Sequence, residues 1–252
     1  MNRSRRTSIV FAVAMAAAAA LSTGAAAASA ADRLPDLGMA RLHSFRITNQ
    51  YGMRLLRFGT DVVNVGAGPF EVRGSGASNQ EWPYATQRIF NDTGGYSDSG
   101  PLAIPIFYSG DGHNHRHVKD LLEMKLTPLG GTNVVGRIAK IGYCFYDNVR
   151  YRLSLPGAAQ SVFYRSSSCG NSYSTSVRMG LSVGWGDRYP WDIAYQYINI
   201  SGLAPGNYRL TVTADAQNIF RELNDTNNFT YTDMYIARPG YSSRILGYGP
   251  SA

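Results

Sequence analysis

The chain has 252 residues, 44% of them hydrophobic and 16% charged, with a formal net charge of +7. The hydrophobic share excludes a disordered chain, and the length excludes a mini-protein held only by disulfides. The basic excess points to no nucleic-acid partner: after the first few residues there is no Lys/Arg run, and the arginines are spread evenly.

Residues 1–30 read as an export signal. Arg3, Arg5 and Arg6 give a positive start, Ile9 to Leu21 is an apolar run too short to span a membrane, and Ala28-Ser29-Ala30 is a small-x-small cleavage site. Arg5-Arg6 also fits twin-arginine export, but Ser8 stands where such a signal usually has a large apolar residue, so ordinary secretion stays open. Loss of the three leader arginines lowers the charge from +7 to +4. Residues 31–252 are expected to form one secreted domain with no membrane span. Cys144 and Cys169 are the two cysteines. In an exported chain they read as one disulfide, contributing roughly 3 kcal/mol through loop closure. Two free buried thiols are the alternative.

In chain order, short alternating segments broken by Gly, Pro, Asn and Asp predict an all-β protein, an antiparallel β-sandwich core with long irregular loops. Residues 54–72 read as strand, turn, strand. Residues 74–112 are Gly/Ser/Tyr-rich, lack periodicity and are expected to be a long irregular insertion. Strands are expected at 119–127, 137–147, 195–203, 207–215 and 227–236. In the 207–215 strand, Tyr208, Leu210, Val212 and Ala214 share one face. Only three of the 24 basic residues are lysine, namely Lys119, Lys125 and Lys140, so a lysine in an apolar run stands out.

Three of the four histidines lie in "GDGHNHRHV", at His113, His115 and His117. On a strand, positions i, i+2 and i+4 point to one face, with neighbouring Cα atoms ~6.5 Å apart. Two such imidazoles reach one metal easily. All three do so only if the chain bends, and Gly110 and Gly112 supply that freedom. A three-imidazole site fits Cu²⁺ or Zn²⁺, and the spacing alone does not choose between them.

Leu55-Leu56-Arg57-Phe58, "NVGAGPF" (64–70), "HNHRH", "KIGYC" (140–144), "GLSVGWGDRYPWDIAYQYINISGLAPGNYRLTVT" (180–213) and "ELNDTNN" (222–228) occur in one order. That order resembles the catalytic domain of the lysyl oxidase family, from about Leu34 to Ile236. The resemblance implies that His113, His115 and His117 bind copper. It also implies that Lys140, four residues before Cys144, and Tyr189, in "GDRYPWD", form the family's lysine tyrosylquinone cofactor. Asp192 matches an acidic position of the family and is the candidate catalytic base, with Asp187 the other nearby carboxylate. The resemblance further matches Asp36, Leu37, Glu222, Asn224, Asn227 and Asn228 to a structural calcium site. Hard oxygen ligands suit that ion, although "ELNDTNN" by itself reads as a turn. The sequence departs from the animal members before the histidine cluster, where it has "IFYSGD". It also lacks a histidine soon after the cluster and most of the animal disulfides.

The function implied is a secreted copper- and quinone-dependent amine oxidase. It would convert primary amines, free or on lysines of surface proteins, to aldehydes with O₂, releasing H₂O₂ and ammonia. A non-catalytic Ig-like wall or adhesion module is the alternative, and it leaves "HNHRH" and "KIGYC" unexplained. A three-histidine zinc hydrolase is weakened by the lack of an adjacent general-base glutamate.

Overall fold

The computed structural model describes residues 30–110 and 112–252, so the leader expected at 1–30 lies outside the described residues except for Ala30. Among the described residues the regular structure is β-strand, with one short 3₁₀ turn at Ser166–Cys169. All strand pairs are antiparallel, as the alternating pattern predicts.

The strand Met53–Asn64 organises one sheet. Every residue after Met53 is buried. Its first half pairs with His43–Gln50 and Tyr197–Asn199, its second half with Leu37–Met39 and Trp185–Tyr189. Covered in this way, the strand buries polar as well as apolar side chains, among them Arg54, Arg57, Thr60, Asp61 and Asn64. Its buried Asn64 is fully used. Oδ1 accepts from the Asp36 and Gly66 amides at 3.1 and 3.0 Å, and Nδ2 donates to the Gly68 and Leu181 carbonyls at 2.9 and 3.0 Å.

A second sheet runs in the order Gly136–Arg137, Leu122–Pro128, Gly206–Ala214, Phe229–Ile236, Arg244–Tyr248. Tyr208, Leu210, Val212 and Ala214 all face inward, as their period of two requires. One hydrophobic cluster joins Leu56 and Phe58 of the first sheet to Leu126, Leu210 and Val212 of the second, which makes the core that of a sandwich.

Three expectations are corrected. Residues 74–112 are not an irregular insertion; they contain the strands Ala85–Asn91, Tyr96–Leu102 and Ile106–Tyr108. Ala85, Gln87 and Ile89 point inward, and the polar Gln87 hides the period. Gln87 is buried because its amide bridges the Arg221 backbone, with bonds of 2.9 and 2.8 Å. The segment expected as one strand from 119 splits: Asp120 adopts φ 55°, separating Arg116–Lys119 from Leu122–Pro128. Nor is 137–147 one strand. Gly136–Arg137 pairs with Leu122–Pro128 while Gly142–Tyr143 pairs with Arg116–Lys119, so Lys140 lies in the crossover between two sheets.

The residues after that crossover are fastened one by one. Cys144 is disulfide-bonded to Cys169, as expected for an exported chain. The Phe145 carbonyl accepts from the Gly180 amide at 3.1 Å. The buried Asp147 carboxylate accepts from the amides of Phe163, Tyr164 and Ser182 at 3.0, 3.1 and 2.8 Å and from the Ser182 hydroxyl at 2.7 Å. Asp147→Ala strands three backbone donors in a dry site. It is expected to destabilise the fold by roughly 3 kcal/mol or more, read as a lower denaturant midpoint at unchanged slope. A change below about 1 kcal/mol would show that water replaces the carboxylate at little cost.

Candidate metal and tyrosine–lysine site

The three histidines meet because the chain bends. Only His117 lies in a strand, Arg116–Lys119. Before it, Gly110, Gly112 and Asn114 adopt φ of 59°, 96° and 54°. The bend expected at the glycines is therefore extended by Asn114, a residue type that tolerates the left-handed region. The ligand nitrogens of His113, His115 and His117 all lie within 4.8 Å of one another, and the Nε2 atoms of His115 and His117 are 2.9 Å apart. His117 is buried and packs edge-on against Phe107 at 5.8 Å. Arg116, between the histidines, is wholly buried. Its guanidinium sits 3.8 Å from the Trp82 ring centroid and donates to the Gln80 carbonyl at 2.9 Å. This anchor had no signal in the sequence beyond its place in the motif.

Two nitrogens 2.9 Å apart can both reach one ion through bonds of about 2.0 Å, and three imidazoles without a thiolate suit Cu²⁺ or Zn²⁺.

Tyr189 ends the strand Trp185–Tyr189 and is 6% exposed. Its hydroxyl donates to the Cys144 carbonyl at 2.5 Å, and its ring meets Tyr143 edge-on at 5.1 Å. Burial, and secondarily the Asp187 carboxylate, push the phenol well above its ordinary range. Lys140 is 3% exposed; its Nζ lies 5.8 Å from the Tyr189 ring centroid and 5.7 Å from that of Tyr143. A cavity of about 240 Å³ is bordered by His113, His115, Tyr146, Asp187 and Tyr189. A neighbouring one of about 250 Å³ is bordered by His117 and Lys140. The sequence-expected tyrosine, lysine and histidines thus come together from three separate segments.

The two carboxylate candidates differ. Asp192 is exposed and does not line the tyrosine cavity, whereas Asp187 is buried and does. Burial raises the Asp187 carboxyl well above the usual range. Asn148 donates to its Oδ1 at 2.5 Å.

The second expected cluster also assembles, with one exception. Asn227 donates to Asp36 at 2.9 Å, Asn228 to Glu222 at 3.0 Å, and the Leu37 amide to Glu222. Asn224 turns away and accepts from Thr226 at 3.0 and 2.7 Å. Among the described residues the buried Oδ1 atoms of Asn227 and Asn228 have no hydrogen-bond partner, and burial pushes Glu222 up to about 8. Orphaned oxygens beside desolvated acids fit a hard cation.

A family model described as lysyl oxidase matches residues 156–241. Human protein-lysine 6-oxidase is 29% identical over 141 residues. That match covers 54% of this chain and 30% of the human protein.

Gly142 allows the histidine strand its close approach. A Cβ there would stand 2.4 Å from Phe107 and 2.8 Å from the His117 Cβ. Gly142→Ala is expected to cost about 1–3 kcal/mol in unfolding experiments and to weaken metal uptake in a titration of the folded variant. Unchanged stability and uptake would show that the two strands part freely.

Proposed function

We propose that the chain, which is similar to the lysyl oxidase family over residues 156–241, is a secreted, copper-dependent oxidase of primary amines. The observation that carries this reading is the buried Lys140 amine 5.8 Å from the Tyr189 ring, beside a three-imidazole cluster. Burying a lysine is costly, and a solvated adhesion surface has no need of it.

In this reading His113, His115 and His117 hold copper, and Lys140 and Tyr189 are the precursors of lysine tyrosylquinone. Copper supplies the O₂ chemistry that oxidises the tyrosine ring, and the quinone supplies the electrophilic carbonyl through which amines become aldehydes with release of ammonia and H₂O₂. The protein's own residues prepare for this. The Cys144 carbonyl and the Tyr143 ring fix the orientation of Tyr189. The Lys140 Nζ lies 5.8 Å from the Tyr189 ring centroid, beside the ring to which its amine would add. Asp187 borders the cavity that Tyr189 faces, so it replaces the exposed Asp192 as the proposed proton acceptor for the substrate's α-carbon. Burial raises its carboxyl above the usual carboxylate range, which makes the ionised form a stronger base. A cavity of about 240 Å³ admits a narrow alkyl amine, free or at the end of a lysine side chain. The disulfide agrees with an oxidising, extracellular setting.

Copper-loaded, aerated protein is expected to gain visible absorbance, react with a hydrazine and release one cross-linked species joining the Lys140 and Tyr189 peptides. Tyr189→Phe and Lys140→Arg should keep copper and lose H₂O₂ production from amines, while His115→Ala should lose copper as well. Amine oxidation at the normal rate in Tyr189→Phe would sink this mechanism.

We also propose that Asp36, Leu37, Glu222, Asn227 and Asn228 hold a structural Ca²⁺. At a hundredfold excess over its dissociation constant, Ca²⁺ should stabilise the protein by about 2.7 kcal/mol. Glu222→Gln should remove that gain. Equal thermal shifts with and without Glu222 would place the ion elsewhere.

A further inference from the structure

Lys140 stands beside two tyrosines, and the amine-oxidase reading modifies only one of them. The Lys140 Nζ lies 5.8 Å from the centroid of the Tyr189 ring and 5.7 Å from that of Tyr143. The two rings meet edge to face, with centroids 5.1 Å apart and planes at 80°. Both amine distances fall within the ~6 Å over which an aromatic face attracts an ammonium.

The rings differ in what else they reach. Tyr189 borders the cavity that His113 and His115 also border. Tyr143 is 0% exposed and borders neither that cavity nor the one at His117 and Lys140. Its backbone is fixed from the metal side: Gly142–Tyr143 pairs with Arg116–Lys119, placing Tyr143 opposite Val118, next to His117. Its hydroxyl makes a long contact, 3.4 Å, with the carbonyl of Lys140 itself. The ring that touches the lysine amine is thus carried by the strand pair that carries a histidine of the metal cluster.

We propose that Tyr143 is a positioning residue: its ring is the wall that keeps the Lys140 Nζ beside the Tyr189 ring, and it is itself left unmodified. A lysine stem is flexible, and an amine that must bond one ring carbon gains from being confined. This inference rests on the amine-oxidase reading and concerns one step of it. In that step one O₂ oxidises the Tyr189 phenol to an ortho-quinone, placing one oxygen on the ring and releasing the other as water. Lys140, as the neutral amine, then forms an N–C bond to the ring, while one N–H proton and one ring C–H proton pass to the two quinone oxygens. A second O₂ takes two electrons and two protons from this product and leaves as H₂O₂. If Lys140 is not held in place, the reaction stops at a Tyr189 ring that carries the added oxygen and no lysine.

The test loads full-length purified protein with copper in the absence of air, admits O₂, digests the protein and analyses the peptides by mass spectrometry. The readout is the ratio of the cross-linked Lys140–Tyr189 species to the Tyr189 peptide that carries added oxygen without lysine. In the unaltered protein the cross-linked species is expected to dominate. Tyr143→Phe keeps the ring and should leave the ratio within about twofold. Tyr143→Leu and Tyr143→Met keep an apolar filling without the flat ring. They should lower the ratio roughly tenfold or more while still binding copper, because Tyr143 is not a proposed ligand. An unchanged ratio in the Leu and Met variants overturns the proposal. So does a loss in Tyr143→Phe as large as theirs, a lysine bonded to Tyr143, or loss of copper binding by both Leu and Met variants, which would make the ring a general support of the fold. If Tyr189 in the unaltered protein gains no oxygen at all, the amine-oxidase reading fails and takes this inference with it. If Tyr189 is oxidised and cross-linked equally well without the Tyr143 ring, only the inference fails.

Discussion

The Asp147 carboxylate is the fixed point on which the arrangement of this protein depends. One buried acid accepts four hydrogen bonds from two separate segments, 163–164 and 182. Losing the acceptor leaves buried amides unpaired. Around it the disulfide at Cys144, the Phe145 carbonyl and the Asn148 side chain hold the same short stretch to its neighbours. The residues beside the site therefore form an irregular chain that is nonetheless fixed, because nearly every one of them has an assigned partner.

From that stretch the site follows by short links. The Cys144 carbonyl takes the Tyr189 hydroxyl, and Asn148 joins Asp187 to the amide of Arg188. Two residues before Cys144, Gly142 lets its strand come against His117 with no side chain between them. Histidines, tyrosine and lysine are thus referred to one segment. Preorganisation of this kind matters where reacting groups must be placed to within a fraction of an ångström.

The site buries Lys140, Asp187, His117 and Tyr189 almost completely. Burial pushes the Asp187 carboxyl and the Tyr189 phenol toward their neutral forms. Structures retain such costs where chemistry uses them. The cluster of Asp36, Glu222, Asn227 and Asn228 carries a similar cost at the opposite, hard-oxygen end of metal chemistry.

The sequence by itself determined the all-β class, the strands with clean alternation, the disulfide pair and the histidine motif, because each depends on local period, composition or count. Gly206–Ala214 was legible since its period of two is unbroken. Lys140 and Tyr189 stood out through motif order, since nothing local separates them from other lysines and tyrosines. Tertiary structure alone decided what depends on distant partners. It made a strand of Ala85–Asn91 by giving the inward Gln87 a backbone to bridge, 134 positions away. It broke 137–147 because that stretch passes from one sheet to another. It exposed Asp192 and buried Asp187. A residue's period can be read along the chain, but its dielectric surroundings and partners are fixed only when remote segments meet.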